Sequence, residues 1–401
     1  MIEDELYRSS TQYRKWSFTP AQLAEQRKET NEYAAAKVRA AFQRARASTT
    51  SAKENGDEAT ADADMETLTV EEELTIVNWG CGKIEEMGTA LRLPKGLIAT
   101  AMQYLRRFYL TNSPMTYHPK SITACTLFIA TKSSHFFIKP INFIENLNGI
   151  TVDDLKAPEF LVLQGLQFTL DVRHPFMGLD GGWVEIREMI EEGRLSGGRG
   201  EEVDEKRALE AVRHAKGLLR REAQMTDVYF LYTPSQIWLG ALWAVDQELA
   251  EMYLEAKLGD VFSSSAGNNG SVEGADAMES KSATTPNSLT PQQADAMKQK
   301  ILHTIQQCAE MLKSWKSPED DKKERKELGR IGKKLMKCQD PEKADIVAVA
   351  RTKMAEKREG SESEREEKAK KRKLEQEMVK RDADVFGGDL REVGGKGANG
   401  A

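Results

Sequence analysis

Residues that bind metal ions are scarce in this sequence. It has 4 cysteines and 5 histidines in 401 residues, and no C-x-x-C pair. Cys81, Cys125, Cys308 and Cys338 are spread along the chain, whereas a zinc site needs clustered thiolates or imidazoles. We therefore expect no metal site and a reducing compartment. Cys125 lies in an apolar run and is expected to be a small buried hydrophobic residue.

Long apolar runs are also missing. No uninterrupted run approaches the roughly 20 residues that a membrane-spanning helix needs. Residues 1–6, Met-Ile-Glu-Asp-Glu-Leu, are acidic, where a secretory signal would be basic and then apolar. We expect a soluble, intracellular protein with no membrane partner.

Catalytic motifs are absent as well. The sequence contains no G-x-x-x-x-G-K-[ST], no H-E-x-x-H and no G-x-S-x-G, and no alternating β pattern that could form a dinucleotide-binding fold. The formal net charge is −6, so there is no global basic field to attract nucleic acid. We expect no catalytic residue, no cofactor and no direct nucleic-acid contact.

Charged residues are abundant, at 30% against 39% hydrophobic residues. This balance is typical of a globular core accompanied by long solvated segments. The composition shifts along the chain predict the following boundaries: an N-terminal segment and helix over 1–47, a flexible linker over 48–66, a first helical unit over 67–173, a second over 174–316 with a disordered insertion at about 263–288, a C-terminal helical segment over 317–352, and a charged, disordered tail over 353–401.

Helical patterns dominate, and three of them begin with the same signal. Thr19, Thr233 and Thr290 are each followed by proline and then, at the third position, by glutamine. A threonine N-cap, a proline at the first helical position and a glutamine at N3 together satisfy the free backbone groups of a helix start. We predict a capped helix after each threonine.

Two segments, 122–130 and 237–245, are apolar on nearly every side. A helix that is hydrophobic all round must lie in the centre of a bundle. Pro119 and Pro234 precede the two segments by the same number of residues. The two prolines are roughly 115 residues apart, and so are Leu127 and Leu242. The pattern predicts an all-α fold that contains two copies of one helical unit.

The periodicity also predicts which aromatic and arginine residues are buried and which are exposed. Tyr104 and Phe108 belong to an apolar helix face from which Arg106 and Arg107 are expected to point away. The aromatic clusters 108–109, 136–137 and 229–232 are interpreted as core packing, because a platform for stacking nucleic-acid bases would have basic residues interleaved.

Two longer segments carry a family resemblance. Residues 107–119, Arg-Phe-Tyr-Leu-Thr-Asn-Ser-Pro-Met-Thr-Tyr-His-Pro, resemble the cyclin-box segment of the cyclin H type, and residues 231–237 resemble the start of the central helix of its second box. Residues 14–18 and 331–338 are similar to the opening and the final helix of the same family. The match runs in order from about residue 8 to about residue 340 and identifies the chain as a member of the cyclin family.

The resemblance implies an all-α architecture of two tandem five-helix cyclin boxes flanked by an N-terminal and a C-terminal helix. It also implies a nuclear, non-catalytic regulatory subunit that binds and activates the catalytic subunit of the CDK-activating kinase. The further partners implied are a RING-finger assembly factor and the TFIIH complex. The expected output is phosphorylation of the RNA polymerase II C-terminal repeats and activation of other cyclin-dependent kinases.

The resemblance also implies which residues hold the kinase. The family's lysine at the end of the first central helix matches Lys132, and its glutamate opening the fifth helix matches Glu159. Without the resemblance, Lys132 would be an ordinary helix cap and Glu159 a solvated first-turn residue. The acidic pair that usually follows the lysine is replaced by Ser133, Ser134 and His135, which puts in doubt how rigidly Lys132 is supported.

Other interpretations remain open at this point. A TFIIB-like factor also has paired cyclin-type repeats but clasps promoter DNA, and it would need basic repeat faces. An unrecognised helical enzyme is a further alternative. The basic run 370–373 is either a nuclear import signal or a chance cluster in a charge-rich tail.

Overall fold

The computed structural model describes residues 3–50, 65–145, 147, 149–195, 203–266, 291–315, 322–343, 345–352 and 370–371. Throughout these ranges the regular structure is helical, without any strand. In the same ranges, no helix combines the length and the apolar character needed to cross a lipid bilayer.

The N-terminal part forms three helices, α1 (Glu3–Ser9), α2 (Thr11–Trp16) and α3 (Pro20–Thr50). The predicted cap of α3 is confirmed, because the Gln22 amide donates to Thr19 Oγ1 at 3.3 Å and the Thr19 amide donates to Gln22 Oε1 at 2.9 Å. Trp16 is buried, and its indole N–H donates to Thr169 Oγ1 at 2.9 Å. This contact fixes the N-terminal segment to the end of the first helical unit.

The first helical unit contains α4 (Val70–Ala90), α5 (Lys95–Thr111), α6 (Pro119–Ser133), α7 (Pro140–Ile144), α8 (Val152–Lys156) and α9 (Glu159–Gly165). Every residue of α6 from Ile122 to Thr131 is buried, because α4, α5, α8 and α9 pack around it. The predicted central helix is therefore confirmed, and Cys125 is fully buried within it.

The second helical unit contains α10 (Phe176–Glu191), α11 (Glu205–Arg220), α12 (Glu222–Met225), α13 (Val228–Leu231), α14 (Pro234–Val245), α15 (Gln247–Ala266) and α16 (Pro291–Ser314). Helix α14 is central, packed by α10, α11, α15 and α16, and its predicted capping box at Thr233 is present. Helix α15 extends to Ala266, past the predicted start of the polar insertion, and the rest of that insertion lies outside the described residues, as does Thr290.

A terminal helix, α17 (Lys322–Lys337), returns to the first unit and packs against α4. Its Ile331 and Leu335 are buried with residues of α3 and α4. Residues 345–352 belong to a separate compact unit. Most of the predicted tail, including Arg372 and Lys373 of the basic run, lies outside the described residues. The domain boundaries drawn from composition stay predictions.

The expectation that Arg106 and Arg107 point away from the core is wrong. They are only 4% and 2% exposed. Arg106 donates to Asp227 Oδ1 at 2.7 Å and to Asn78 Oδ1 at 2.7 Å, and Arg107 donates to the Asp171 carbonyl at 2.9 Å. Buried guanidinium groups are tolerated when their donors are paired, and these pairs come from elements distant in sequence.

Candidate functional site

Lys132 and Glu159 meet on the surface of the first helical unit. Lys132 lies in the last turn of α6 and Glu159 is the first residue of α9. Lys132 Nζ lies 2.5 Å from Glu159 Oε1, and the side chains are 43% and 26% exposed. Lys132 Nζ also lies 4.5 Å from the centroid of the Phe128 ring. The structure thus brings the two predicted residues together; their role in binding a kinase stays a prediction.

Helix geometry explains why this pair forms. A cation is favoured at the C-terminal end of a helix and a carboxylate at the N-terminal end, because the helix dipole complements each charge. Lys132 lies at the partially negative C-terminus of α6, and Glu159 lies at the partially positive N-terminus of α9. Both groups keep solvent contact, so the pair contributes little to stability and remains accessible to a partner.

The ion pair has exposed apolar neighbours along the chain. Within α9 or in the segments that follow α6 and α9, five large apolar side chains are exposed by 42–79%: Phe136, Phe137, Ile141, Phe160 and Phe168. The Phe160 and Phe168 rings lie 6.1 Å apart. We call these five residues the apolar surround. Single apolar residues on a surface need no explanation, whereas contiguous exposed apolar patches are typical of interaction sites.

The core-packing interpretation is therefore wrong for one aromatic cluster. Phe136 and Phe137 are 42% and 79% exposed, whereas Phe108 and Phe230 are buried as predicted. Phe136 and Phe137 follow α6 in an irregular segment with no helical periodicity. Sequence periodicity could not assign these two residues to a face, because no regular element contains them.

Left-handed backbone turns end both helices of the site. His135 has φ 56°, and beside it the Phe136 amide donates to the Thr131 carbonyl at 2.9 Å. This is the hydrogen bond that closes a helix end in a Schellman motif. After α9, Gln167 and Phe168 also have positive φ, 51° and 54°. Ser133, Ser134 and His135, which follow Lys132 in place of an acidic pair, thus form the closing turn of α6.

No group of three or more His, Cys, Asp or Glu residues in the described part of the chain could hold a metal ion. Burial raises the pKa of the Cys81 thiol to about 11 and of the Cys308 thiol to about 12. These thiols are protonated and unreactive at neutral pH.

Comparison with known proteins identifies the fold. The cyclin N-terminal domain model matches residues 51–171, and the cyclin C-terminal domain model matches residues 174–313. Cyclin mcs2 of Schizosaccharomyces pombe is 33% identical over 254 residues, which cover 63% of this chain and 73% of mcs2. The chain belongs to the cyclin family. The predicted all-α fold of two tandem cyclin boxes is confirmed.

Cyclin CCL1 of Saccharomyces cerevisiae is 36% identical over 272 residues, or 68% of this chain. The match spans 65% of CCL1, just under two thirds of its length. Cyclin-H of Xenopus laevis is 27% identical over 43% of this chain and 51% of its own length. Proteins named cyclin-H are thus among the relatives of this cyclin.

Two solved structures resemble this cyclin. A chain of the CAK complex from Chaetomium thermophilum bound to ATP-γ-S has a TM-score of 0.69 and 30% identity, covering 89% of this chain and 96% of its own. A chain of yeast TFIIK (Kin28/Ccl1/Tfb3) has a TM-score of 0.53 and 28% identity, covering 76% of this chain and 100% of its own. Cyclins regulate kinases and do not themselves catalyse phosphoryl transfer, so this cyclin is a regulatory protein.

Proposed function

We propose that this cyclin binds and activates the catalytic subunit of a CDK-activating kinase. In this proposal the kinase docks on the Lys132–Glu159 pair and the apolar surround. The observation that carries the proposal is the accessible ion pair with large exposed apolar neighbours. The related chains come from a CAK complex and from a TFIIK complex of Kin28, Ccl1 and Tfb3, which supports a kinase as the partner.

The same relationship supports the wider assembly. We include in the proposal a RING-finger assembly factor, membership of TFIIH and a nuclear location. The proposed output is phosphorylation of the RNA polymerase II C-terminal repeats and activation of other cyclin-dependent kinases. The relatives and structural neighbours are cyclins or chains of kinase complexes, which leaves the promoter-binding alternative without support.

Activation follows from the physics of the kinase. A protein kinase is competent when its β3 lysine pairs with the glutamate of helix αC and its activation loop is ordered. A preformed helical surface that fits αC only in the inward position binds the active state more tightly than the inactive state. That difference in affinity shifts the population toward the active state. The cyclin supplies binding free energy and no reacting group.

The composition of the surface suits such an interface. Hot spots combine buried apolar anchors with charged groups that lose water on binding. Phe137 and Phe160 are 79% and 66% exposed in the free chain and would supply the apolar area. Lys132 keeps donors free beyond its bond to Glu159, and these can reach acceptors on the kinase. We expect an interface on the order of 2,000 Å² or more.

The proposal is tested with Lys132→Glu. The substitution puts two carboxylates together on the surface and removes the donor, so we expect kinase affinity to fall by about 2 kcal/mol or more, roughly 30-fold. Calorimetric titration with the kinase subunit measures the affinity. A peptide of RNA polymerase II C-terminal repeats reports activation.

The matched control is Lys120→Glu, because Lys120 is exposed on the same helix but in its first turn, away from the site. The control should bind and activate like the unmodified chain. Unchanged affinity of Lys132→Glu, with a folded circular dichroism spectrum, would remove this surface from the interface.

A further inference from the structure

A buried tyrosine lies next to Ser133, the residue that follows Lys132. Tyr104, in the middle of α5, has no exposed surface. Its phenol oxygen lies 2.9 Å from Ser133 Oγ and 2.6 Å from the carbonyl oxygen of Leu170. Ser133 immediately follows Lys132, and Leu170 lies in the segment that follows α9, the helix of Glu159. One hydroxyl group thus links the end of α6 to the segment that follows α9.

The chemistry of the partners fixes the direction of these bonds. A carbonyl oxygen can only accept, so the Tyr104 phenol donates its single proton to Leu170. The phenol oxygen then accepts from Ser133, whose hydroxyl also lies 3.1 Å from the Ala130 carbonyl. The Ser133 proton is shared between those two acceptors. Every group in this arrangement is neutral.

A second bond of α5 holds the same segment. Arg107, one turn after Tyr104, donates to the carbonyl of Asp171 at 2.9 Å. Two consecutive carbonyls, at 170 and 171, are therefore held by side chains of α5. Gly165 at the end of α9 allows α9 to pack closely against α5, since a Cβ at this position would lie 2.5 Å from Cδ2 of Phe108. Helix α5 is the common support of both halves of the site.

We propose that Tyr104 is a positioning residue for kinase binding, which sets the relation between Lys132 and Glu159 through Ser133 and the Leu170 carbonyl. The inference rests on the proposed docking surface. The proposed role of Tyr104 explains how Lys132 is supported in a chain where Ser133, Ser134 and His135 replace the family's acidic pair. In this cyclin a neutral hydrogen-bonded bridge connects the end of α6, beside Lys132, to the core.

The test compares two tyrosines of the same helix. Tyr104→Phe removes the bridge and keeps the ring, so we expect kinase affinity to fall about 10-fold, the equivalent of one or two hydrogen bonds. Tyr109→Phe is the control, because Tyr109 is also buried in α5 and donates to a backbone carbonyl, that of Tyr117, at 2.7 Å. It should lose similar thermal stability and keep its affinity within twofold.

A double-mutant cycle with Lys132→Met separates positioning from general destabilisation. If Tyr104 acts through Lys132, the effect of Tyr104→Phe on affinity disappears when Lys132 is already absent. Ser133→Ala, a milder change, should weaken binding in the same direction by severalfold without affecting folding. All affinities are measured by calorimetry with the full chain and the kinase subunit.

The outcomes distinguish the two proposals. If Lys132→Met weakens binding while Tyr104→Phe and Ser133→Ala do not, the positioning role is overturned and the docking surface stands. Additive losses in the cycle, or an equal loss from Tyr109→Phe, also overturn it. If Lys132→Met leaves affinity unchanged, the docking surface is wrong and the inference falls with it.

Discussion

Glu72 and Glu73 are neighbours in α4 and occupy opposite electrostatic environments. Burial alone would raise the pKa of Glu72, but hydrogen bonds from Lys334, the Thr69 amide and Arg330 outweigh it, and the pKa is lowered. Glu73 has no cation among its hydrogen-bond partners. Burial raises the pKa of Glu73 to about 7, and hydrogen bonds from Ser113 and Asn31 oppose this only in part.

These opposite shifts predict opposite effects on stability. The folded state holds the Glu73 proton up to about pH 7, whereas the unfolded chain releases it near pH 4.3. Stability is therefore lost as the pH rises from about 4.5 to 7. We expect Glu73→Gln to raise the free energy of unfolding by about 2 kcal/mol at pH 8 and to change it little at pH 5. Urea unfolding at both pH values measures the effect.

Glu72→Gln serves as the comparison, because Gln keeps the capping box and loses the ion pairs with Lys334 and Arg330. Because the pKa of Glu72 is lowered in the folded state, its ionised form stabilises the fold at pH values above the pKa of the unfolded chain. The Glu72→Gln variant should therefore lose stability at neutral pH. Equal stability changes in both variants at pH 8 would contradict the assignment of Glu73.

At the scale of elements, close packing of central helices depends on glycine. Gly240 of α14 faces α16, where an added Cβ would lie 2.8 Å from Cys308 Sγ and 3.0 Å from Cys308 Cβ. Such distances force neighbouring atoms to move. Gly82 in α4 has no atom within 4 Å of an added Cβ. The two glycines look alike in sequence and differ only in what packs on them.

We expect Gly240→Ala to lower the free energy of unfolding by about 1–3 kcal/mol, since overpacking exceeds the gain in helix propensity. Gly82→Ala should instead raise it by up to about 1 kcal/mol. Thermal and urea unfolding measure both variants. A stabilising Gly240→Ala would mean that α16 can move away from α14 at little cost.

Sequence reasoning succeeded where local rules determine structure. The caps at Thr19 and Thr233 follow from side-chain bonds three residues apart, and the central positions of α6 and α14 follow from apolar residues on every side. It failed for Arg106, because a charged side chain is predicted to be exposed unless its partner is known. That partner, Asp227, is 121 residues away in sequence, and only the fold brings the two together.

At the scale of the whole molecule, the two boxes share a buried polar relay. Gln224 Nε2 donates to the Tyr229 phenol at 2.9 Å, and that phenol lies 2.9 Å from His174 Nδ1. His174 Nε2 lies 2.9 Å from Thr100 Oγ1, whose proton goes to the Gly96 carbonyl. One direction satisfies all of these groups: Tyr229 donates to His174, and His174 donates to Thr100.

The relay requires a neutral imidazole. Burial, together with the charge of Arg107, lowers the pKa of His174 to about 3, so the ring carries no charge near neutral pH. No sequence pattern indicates this pairing, because Thr100 of the first box and Tyr229 of the second box are linked only through the docking of the boxes. Interfaces between repeats are set by tertiary contacts that periodicity does not encode.

A direct bond between the boxes tests how strongly they are coupled. Gln103 Nε2 donates to Gln224 Oε1 at 2.9 Å, and both side chains are buried. We expect Gln103→Leu to cost about 1–3 kcal/mol, because the Gln224 oxygen is left without a partner. Gln224→Leu should cost at least as much. Since the double variant removes both polar groups, its loss should be smaller than the sum by about 1 kcal/mol or more.

Urea unfolding of the full chain measures the cycle. Gln306 is an exposed residue of α16, and its side-chain amide donates to Glu310 Oε1 at 3.2 Å. Pairing Gln103→Leu with Gln306→Leu should give additive losses, because these residues share no contact. Equal additivity in both pairs would mean that the Gln103–Gln224 bond contributes nothing to holding the boxes together. Their relative placement would then depend on the other contacts between them, which include the Arg106–Asp227 ion pair and the Thr100–His174–Tyr229 hydrogen bonds.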